Sequence, residues 1–365
     1  MYGIIMAGGG GSRLWPRSRG NTPKQLLALV SDRSLIRETL DRLLPLMPAE
    51  RIVVVTGAAH AAAVREQLPE LPAGNILVEP VARGTGPAIG LALVHIARLA
   101  AAAGDPDPVI GSFHADHVVT NPAEFQAVVR DAAVVAKGGY IVTLGITPRS
   151  PHTGYGYIER AGELPSRPDR PAYAVARFVE KPTRATAEGY LQTGRYSWNS
   201  GMFVWQLTTI LDEFAQHQPD LHHQLAEIGA ALGTPEAAAT LTRVWAGVES
   251  VTIDVGIAEK SGHLAVIPAD FGWSDVGDWA AVTDLLAASA GDGAGNAVVG
   301  RHLGLDTHGS LVYNVVPGKL IATIGLDNLV IIDTGDVLLI CDKTRNQDVK
   351  KIVEALRAQG LGQYL

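Results

Sequence analysis

Four glycines followed by basic residues form the most distinctive pattern in the sequence. Residues 8–11 are all glycine and come directly after a short apolar run, residues 2–6. Basic side chains then follow at four positions: Arg13, Arg17, Arg19 and Lys24. Glycine lets the backbone approach a ligand closely, with N–H groups that can point at phosphate oxygens. The pattern predicts a phosphate-binding loop in which Arg13 and Lys24 stabilise the charge that develops on a departing pyrophosphate.

Two familiar phosphate-binding patterns do not fit this loop. A P-loop requires Gly-Lys-Ser/Thr after its glycines, and Ser12-Arg13 stands there instead. The dinucleotide fingerprint requires a glycine where Arg13 stands, and an acidic residue at the end of a second strand that here ends at Thr56-Gly57. An ordinary glycine turn with solvated cations is the simplest alternative to a phosphate loop.

An aspartate follows another predicted strand, residues 109–113. Asp116 lies just beyond the end of that strand. Mg²⁺ prefers oxygen ligands and commonly takes one or two carboxylates together with substrate phosphates. Asp116 is therefore a candidate Mg²⁺ ligand, and the alternative is a turn or helix-capping residue.

The elements that must position these residues alternate between strand and helix patterns over residues 2–146. This alternation predicts a Rossmann-like, mainly parallel α/β sheet with helices on both faces. Ligands of such sheets bind beyond the carboxyl ends of the strands, so loops 7–13, 79–86 and 114–117 are expected to converge on one crevice. Residues 147–205 change pattern and are predicted to form an inserted antiparallel lobe.

The chain is predicted to have two domains, a catalytic domain over residues 1–286 and a small β-rich domain over residues 291–365. A Gly-rich stretch separates them, and an amphipathic helix follows the short β-like runs of the second. The second domain is expected to resemble a short β-helix.

Composition limits the classes of partner. The chain has 365 residues, 47% of them hydrophobic and 18% charged, with a net charge of −7. An acidic balance disfavours nucleic acids and anionic membranes, which require a basic face. The amino terminus lacks the basic and apolar regions of a signal peptide, so we expect a cytoplasmic protein.

The loop motif resembles that of the sugar-1-phosphate nucleotidyltransferase family. Gly-Gly-x-Gly-x-Arg-Leu-x-Pro, followed by Pro23-Lys24, is similar to the family signature, and Leu14-Trp15-Pro16 is typical of its mannose-1-phosphate guanylyltransferase branch. The segment at residues 272–279, Gly-Trp-Ser-Asp-Val-Gly-Asp-Trp, is similar to a second family motif. These matches occur in order along the predicted catalytic domain.

The resemblance implies roles for individual residues. Arg13 would contact the triphosphate and Lys24 the reacting phosphates, while Asp116 and Asp275 would hold Mg²⁺. Sugar-phosphate binding is implied for Gly154, Glu180, Lys181 and Asn199. Nucleotide binding is implied for Ala7, Gly8, Gly9, Gly11, Ser12, Arg83 and Thr85. Thr85 has an equally simple interpretation as the cap of an Ala-rich helix.

The implied reaction joins GTP and α-mannose 1-phosphate into GDP-mannose and pyrophosphate, with Mg²⁺ and in a homodimer. Residues 255–260 depart from the family pattern, which leaves the role of Asp254 open. The near alternatives are another sugar 1-phosphate, such as a heptose or glucose phosphate, and another base. The alternative from a different class is a non-catalytic homologue that senses a sugar nucleotide.

Overall fold

The computed structural model describes residues 1–165, 169–287 and 289–365 of the chain. These residues form two compact units, and neither unit is a single stretch of sequence. Unit 1 contains residues 1–8, 39–115 and 119–273. Unit 2 contains residues 9–38, 116–118 and 274–365. The sequence predicted a boundary near residue 290 that divides the chain into two continuous stretches. In the structure, the glycine-rich segment belongs to the same unit as the carboxyl-terminal residues.

Unit 1 is built on one nine-stranded sheet. In chain order its strands are β1 (Tyr2–Ala7), β2 (Ile52–Gly57), β3 (Ile76–Glu79), β4 (Val109–His114), β6 (Ile141–Ile146), β7 (Tyr157–Glu163), β8 (Tyr173–Val179), β9 (Tyr196–Gln206) and β10 (Leu264–Ala269), with the two-residue strands β5 (Val118–Val119) and β11 (Trp273–Ser274) at unit boundaries. The order across the sheet is β3-β2-β1-β4-β9-β6-β10-β8-β7.

The sheet is mixed, although the sequence predicted a mainly parallel one. Strands β1 to β4 are parallel, and Met6 on β1 is in register with His114 on β4. Strand β9 runs antiparallel to β4, β6 and β7. The predicted antiparallel lobe is therefore part of the same sheet, because β9 forms backbone hydrogen bonds with β4 and β6 at the centre of that sheet.

The helices of unit 1 pack on this sheet and on each other. They are α1 (Leu35–Leu43), which begins in unit 2, α2 (Ala61–Gln67), α3 (Thr85–Ala102), α4 (Pro122–Ala136), α5 (Arg184–Thr193), α6 (Leu207–His217), α7 (Pro219–Ala231) and α8 (Ala237–Trp245). Helix α3 is long and apolar enough to cross a membrane by composition, but 61% of it is buried inside the protein. It is thus a core helix.

Unit 2 contains the β-rich tail. Its strands are β12 (Ala297–Val299), β13 (Arg301–Leu305), β14 (Leu311–Asn314), β15 (Leu320–Ile324), β16 (Leu329–Asp333) and β17 (Leu338–Asp342), and its helices are α9 (Trp279–Ala287) and α10 (Val349–Ala358). Strands β12, β14 and β16 stack in parallel, and β17 joins them antiparallel. Strands β13 and β15 form a second parallel pair. Two stacks of parallel strands, β12-β14-β16 and β13-β15, are the arrangement expected of a few β-helix turns.

One hydrophobic core joins the tail to the glycine-rich segment. It contains Leu14, Trp15 and Leu27 from the amino-terminal segment, together with Leu311 and Tyr313 from β14. All of these side chains are buried. The segment after the glycines is therefore packed on the tail.

Most predicted elements lie within a few residues of their positions in the structure. The pattern missed β13, where Arg301, His302 and Gly304 interrupt the apolar residues. The alternative interpretation of Thr85 as a helix cap is wrong. Gly84 occupies the cap position, and the Thr85 hydroxyl instead accepts a hydrogen bond from the Ile253 N–H at 2.9 Å.

Candidate active site

The glycine-rich loop begins where β1 ends, at Ala7. A side chain at Gly8 would meet no atom within 4 Å, so this part of the loop is open. Gly9 has φ +98° and Gly11 has φ +62°, which is left-handed backbone that favours glycine. A Cβ on Gly11 would also lie 2.6 Å from the Cβ of Lys24. Gly11 is therefore required both by its backbone angle and by the close passage of Lys24.

Lys24 is a buried cation in unit 2. Only 5% of the residue is exposed, and it lies at the start of the short 3-10 turn Lys24–Leu26. Its Nζ donates to the Asp116 carboxylate at 2.9 Å and to the backbone carbonyl of Asp275. A buried ammonium needs such partners, because removing it from water is costly. The partners are the two residues for which metal binding was predicted.

The two aspartates present their carboxylates from different stretches of chain. Asp116 is in a turn two residues after β4, and it is partly exposed. Asp275 follows β11, where its carboxylate accepts the N–H of Gly277 at 3.2 Å. The turn is closed by Ser274, whose hydroxyl accepts the N–H of Val276 at 3.1 Å. The predicted metal ligands thus meet around one ammonium group.

Arg13 and Ser12 differ from Lys24 in their exposure. Both lie in the 3-10 turn Ser12–Leu14, and both are exposed. The turn is anchored by Leu14, whose side chain is buried. An exposed guanidinium close to an open glycine loop can reach an anionic ligand that arrives from solvent.

A second group of predicted residues lies together in unit 1. The Glu180 carboxylate contacts Lys181 Nζ at 2.8 Å. A Cβ on Gly156 would lie 2.7 Å from Glu180 Oε2 and 3.3 Å from the Cβ of Asn199. Lys181 has φ +45°, and its N–H is bonded to the Tyr155 carbonyl at 3.3 Å. Gly156 therefore lets Glu180 and Asn199 approach the same stretch of backbone.

Asn199 is fixed by three hydrogen bonds. Its Oδ1 accepts from the Gly201 N–H at 3.1 Å and from the Thr143 hydroxyl at 3.3 Å. Its Nδ2 donates to Asp254 Oδ1 at 2.7 Å. These contacts fix the orientation of the amide and occupy one of its two N–H donors. Asn199 can therefore offer one directed donor to a ligand.

Asp254 is a partly buried carboxyl whose role the sequence left open. It begins a π-helical turn, Asp254–Ala258, a rare geometry that is common at functional sites. Burial raises the pKa of Asp254, the Asn199 hydrogen bond and the His114 charge oppose this rise, and the charge of Glu180 adds to it. Burial, Glu180 and Asp254 likewise raise the pKa of Glu259. The charge of Glu180 therefore raises the pKa of both Asp254 and Glu259.

Gly154 lies beside an aromatic cluster. Its N–H donates to His152 Nδ1 at 3.2 Å. The His152 ring stacks on Tyr155 with centroids 3.8 Å apart, and Tyr155 packs edge-on against Trp198 and Trp273 at 5.2 Å. The Gly154 amide is thus already bonded to protein, and its carbonyl and Cα are what the loop can offer to a ligand.

The predicted base-binding residues lie at the start of α3. Arg83 donates to the Ala246 carbonyl at 3.3 Å, and its own carbonyl accepts the Val251 N–H at 3.0 Å. Glu79, at the end of β3, is buried, and burial raises its pKa. Its Oε2 makes no hydrogen bond to the described residues. Glu79 and Arg83 thus provide a carboxyl and a guanidinium near the end of β3.

Several of these residues were not assigned roles from the sequence. The only sequence indication for Asp254 and Glu259 was their position in or next to a segment that departs from the family pattern. Glu79 lay in a segment of interest but resembled an ordinary strand end. The binding, catalytic and metal roles of all the residues named above stay predictions.

Comparison with known proteins adds independent information on identity. A family model described as nucleotidyl transferase matches residues 2–291. The chain belongs to the nucleotidyl transferase family. A second model, described as a MannoseP isomerase/GMP-like β-helix domain, matches residues 300–356 of this nucleotidyl transferase. The family resemblance and the β-helix-like character of the tail are both confirmed.

Curated relatives extend over almost the whole chain. A mannose-1-phosphate guanylyltransferase of Escherichia coli K12 is 38% identical over 366 residues, covering 99% of this chain and 74% of that protein. The xanthan biosynthesis protein XanB of Xanthomonas campestris pv. campestris B100 is 39% identical over 363 residues, covering 98% of this chain and 73% of that protein.

A solved structure matches the nucleotidyl transferase over its length. It is described as a mannose-1-phosphate geranyltransferase from Thermus thermophilus. The TM-score is 0.86 at 32% sequence identity, and the match covers 98% of this chain and 99% of that one. The predicted fold class, an α/β catalytic sheet with a β-rich tail, is confirmed.

Proposed function

We propose that this nucleotidyl transferase transfers GMP from GTP to α-D-mannose 1-phosphate and releases GDP-mannose and pyrophosphate. The observation that carries the reaction class is the buried Lys24 ammonium, held between Asp116 and Asp275 beside a glycine-rich loop. The guanine and mannose parts rest on relatives named mannose-1-phosphate guanylyltransferases that are 38% and 39% identical to the chain.

The proposed chemistry is a displacement at phosphorus. A phosphate oxygen of mannose 1-phosphate attacks the α-phosphorus of GTP, and the bond from that phosphorus to the β-phosphate oxygen breaks. The electron pair leaves with pyrophosphate. The attacking phosphate is already an anion, so positioning and electrostatic stabilisation contribute most of the rate. Lys24 stabilises the reacting phosphates from a fixed position, and Arg13 contacts the triphosphate from the exposed turn.

Mg²⁺ is proposed as the metal, with Asp116 and Asp275 as its protein ligands. The residues fit this ion, because carboxylate oxygens are the donors it prefers and one or two suffice when substrate phosphates supply the rest. Lys24 Nζ lies 2.9 Å from Asp116 Oδ2 and also bonds the Asp275 backbone, so both aspartates lie beside one cation. When bound, Mg²⁺ neutralises phosphate charge.

The remaining residues are proposed to select and orient the substrates. Glu180 accepts hydrogen bonds from sugar hydroxyls, Lys181 meets the sugar phosphate, and Asn199 donates its directed N–H. The backbone of Gly154 borders the same group. The nucleotide is proposed to contact the backbone at Ala7, Gly8, Gly9 and Gly11, together with Ser12, Arg83 and Thr85.

The proposal also includes a cytoplasmic homodimer. One face of the β13–β15 pair carries exposed apolar side chains, Leu303, Leu305, Leu320 and Ile324, of which Ile324 is 72% exposed. Contiguous exposed apolar surface of this kind favours association, and a second copy of the chain is the proposed partner. A cytoplasmic location agrees with a catalytic cycle that consumes GTP.

The test is pyrophosphate release across a substrate panel, with and without Mg²⁺. The panel crosses GTP, ATP, UTP, CTP and dTTP with mannose, glucose and N-acetylglucosamine 1-phosphates. We expect Mg²⁺-dependent release with GTP and mannose 1-phosphate alone. Lys24→Ala should lower kcat by about 10²- to 10³-fold, the usual effect of losing one charge-stabilising donor. The matched control is Lys351→Ala, which removes an exposed lysine paired with Asp348 at 2.7 Å.

The outcomes separate the levels of the proposal. Release with another pair would overturn the substrates and retain the reaction class. No release with any pair would favour a homologue that senses a sugar nucleotide without turning it over. An equal loss in Lys24→Ala and Lys351→Ala would contradict the role of Lys24.

A further inference from the structure

The β-rich tail makes directed polar contacts with the segment that carries Lys24. Arg19 bonds Asp336 in bidentate geometry, with Nη1 to Oδ2 at 2.6 Å and Nη2 to Oδ1 at 2.8 Å. The same guanidinium donates from Nη2 to the Thr334 hydroxyl at 3.3 Å and from Nε to the Pro16 carbonyl at 2.9 Å. Planar bidentate pairs of this kind fix orientation as well as distance.

A second anchor lies on the other side of Lys24. The buried Tyr313 hydroxyl on β14 donates to the Ala28 carbonyl at 3.0 Å. Lys24 is thus bracketed, because the chain is tied to the tail five residues before it and four residues after it. Between the anchors Lys24 is buried and bonded to Asp116.

The chain segment that carries Asp275 is tied to the same structure. The indole of Trp279, four residues later, donates to the Trp15 carbonyl at 3.0 Å, and its ring centroid lies 5.5 Å from that of Tyr313. The Trp15 indole in turn donates to the Tyr364 carbonyl at 2.7 Å. The tail therefore holds both chain segments that meet at the buried ammonium.

We infer that the β-rich tail is a positioning element for catalysis, with the Arg19–Asp336 pair and the Tyr313–Ala28 bond as its two anchors on the Lys24 segment. None of these tail residues touches the reacting atoms. They act through Lys24, whose distance from the reacting phosphates depends on where the bracketed segment is held. A misplacement of about 1 Å is enough to lower a rate by about 100-fold. This inference rests on the proposed nucleotidyl-transfer function.

The pair is suited to remain formed under physiological conditions. The Arg19 guanidinium lowers the pKa of Asp336 to about 2, with help from the Thr334 hydroxyl. A depressed carboxyl pKa means that the anchoring interaction is present above the ordinary pKa of 3.8 and is lost only as the pH falls through about 2. The anchor is therefore charged throughout the neutral range.

The experiment compares Asp336→Asn, Arg19→Lys and Tyr313→Phe in the full chain, with Glu227→Gln as the matched control. Glu227 forms an exposed ion pair with Arg243 between two helices of unit 1. We expect Asp336→Asn and Tyr313→Phe to lower kcat by about tenfold while KM for mannose 1-phosphate changes by less than about twofold. Arg19→Lys should retain an intermediate kcat because it keeps the charge and loses the bidentate geometry. The control should match the wild type.

A readout independent of activity accompanies the kinetics. Amide hydrogen exchange over residues 9–28 should accelerate in Asp336→Asn and remain unchanged over β1 and β4. A purely structural contribution would lower the thermal midpoint without changing kcat at temperatures where the protein is folded. Unchanged kcat in Asp336→Asn and Tyr313→Phe overturns the inference, whether or not exchange over residues 9–28 changes. A wild-type chain that releases no pyrophosphate contradicts the proposed function, and the exchange measurement still tests the anchoring.

Discussion

Gly11 and Lys24 are packed so closely that the position of the buried ammonium depends on the absence of one methyl group. Gly11 combines a φ of +62° with a 2.6 Å approach between its would-be Cβ and the Cβ of Lys24. Gly10, the preceding residue, would place a Cβ in open space. Adjacent glycines in one loop therefore serve different purposes.

Gly11→Ala should displace Lys24 and lower kcat/KM by about 100-fold, because the neighbour is a side-chain stem that cannot move without moving its ammonium. Gly10→Ala is the control, and its kcat/KM should stay within about threefold of the wild type. Steady-state pyrophosphate release measures both. Equal losses in the two variants would mean that the loop needs flexibility at every glycine.

Asp254 offers a second prediction at the scale of the residue. Asp254→Asn keeps the size of the side chain but removes the carboxylate that orients Asn199, so KM for the sugar phosphate should rise by about tenfold. KM for GTP should stay close to the wild-type value. Initial rates measured against each substrate separately test this split, and parallel rises in both KM values would refute a role confined to the sugar.

The same substitution has a predictable effect on stability. Burial raises the pKa of Asp254 above 3.8, so the folded state retains a proton that the unfolded state has released. Stability then falls as the pH rises between 3.8 and the higher folded value, and it stays lower above it. Asp254→Asn removes this titration, so its thermal midpoint should gain on the wild type as the pH is raised from about 4 to about 8. A constant difference would contradict the direction of the pKa.

At the scale of the element, β13 and β15 form a pair with two unlike faces. Leu303, Leu305 and Ile324 are exposed on one face, whereas His302 and Thr323 bond each other on the opposite face at 2.8 Å. Period-two alternation explains why the apolar residues fall on one side. An apolar face on a short parallel pair is the feature that supports a second copy as the partner.

If the proposed dimer forms through this face, Ile324→Lys combined with Leu305→Lys should convert it into a monomer, because opposed lysines would place like charges against each other. Sedimentation or light scattering over a range of concentrations measures the mass. Val134→Lys, at another exposed apolar position on α4, is the control. A wild-type chain that is monomeric at all concentrations would contradict the proposed dimer, as would a double variant that stays dimeric.

Elements formed by local patterns were predictable, and those formed by distant contacts were not. The strands predicted at residues 2–6 and 109–113 are present as β1 and β4. β13 was not predicted because Gly304 and two polar residues interrupt its run of apolar residues. Gly156 gave no sign of its closeness to Glu180 and Asn199, since that approach depends on three strands in register.

At the scale of the whole molecule, the two units cut across the predicted domains. Unit 2 combines residues 9–38 with the tail, while the sequence predicted an independent appendage from residue 291. No periodicity encodes the packing of Trp15 or Leu27 on β14, because the partners are far apart in the chain. The site motifs could be recognised because each is a short continuous stretch of sequence. The residues that pack against them are distant in the sequence and could not be recognised.

Removal of residues 291–365 should therefore do more than delete an appendage. Leu14, Trp15, Leu27 and Trp279 would lose their buried partners in the tail. Exposing several large apolar side chains costs roughly 1.5–3 kcal/mol for each, so residues 9–38 should lose their fixed structure. Amide hydrogen exchange over residues 9–38 of the truncated chain, and its aggregation in the absence of nucleotide, measure this loss of structure. A truncated chain that keeps wild-type protection over residues 9–38 would show that the tail is dispensable for that segment.

The composition of unit 2 also has a consequence for biosynthesis. Trp15 and Leu27 are synthesised well before Leu311 and Tyr313, which complete their core. At about 5–20 residues per second, translation of the roughly 300 intervening residues lasts about 15–60 s. Over that interval the nascent chain exposes the apolar side chains on either side of Lys24. Chaperone supply during translation should therefore govern how much active enzyme each messenger yields.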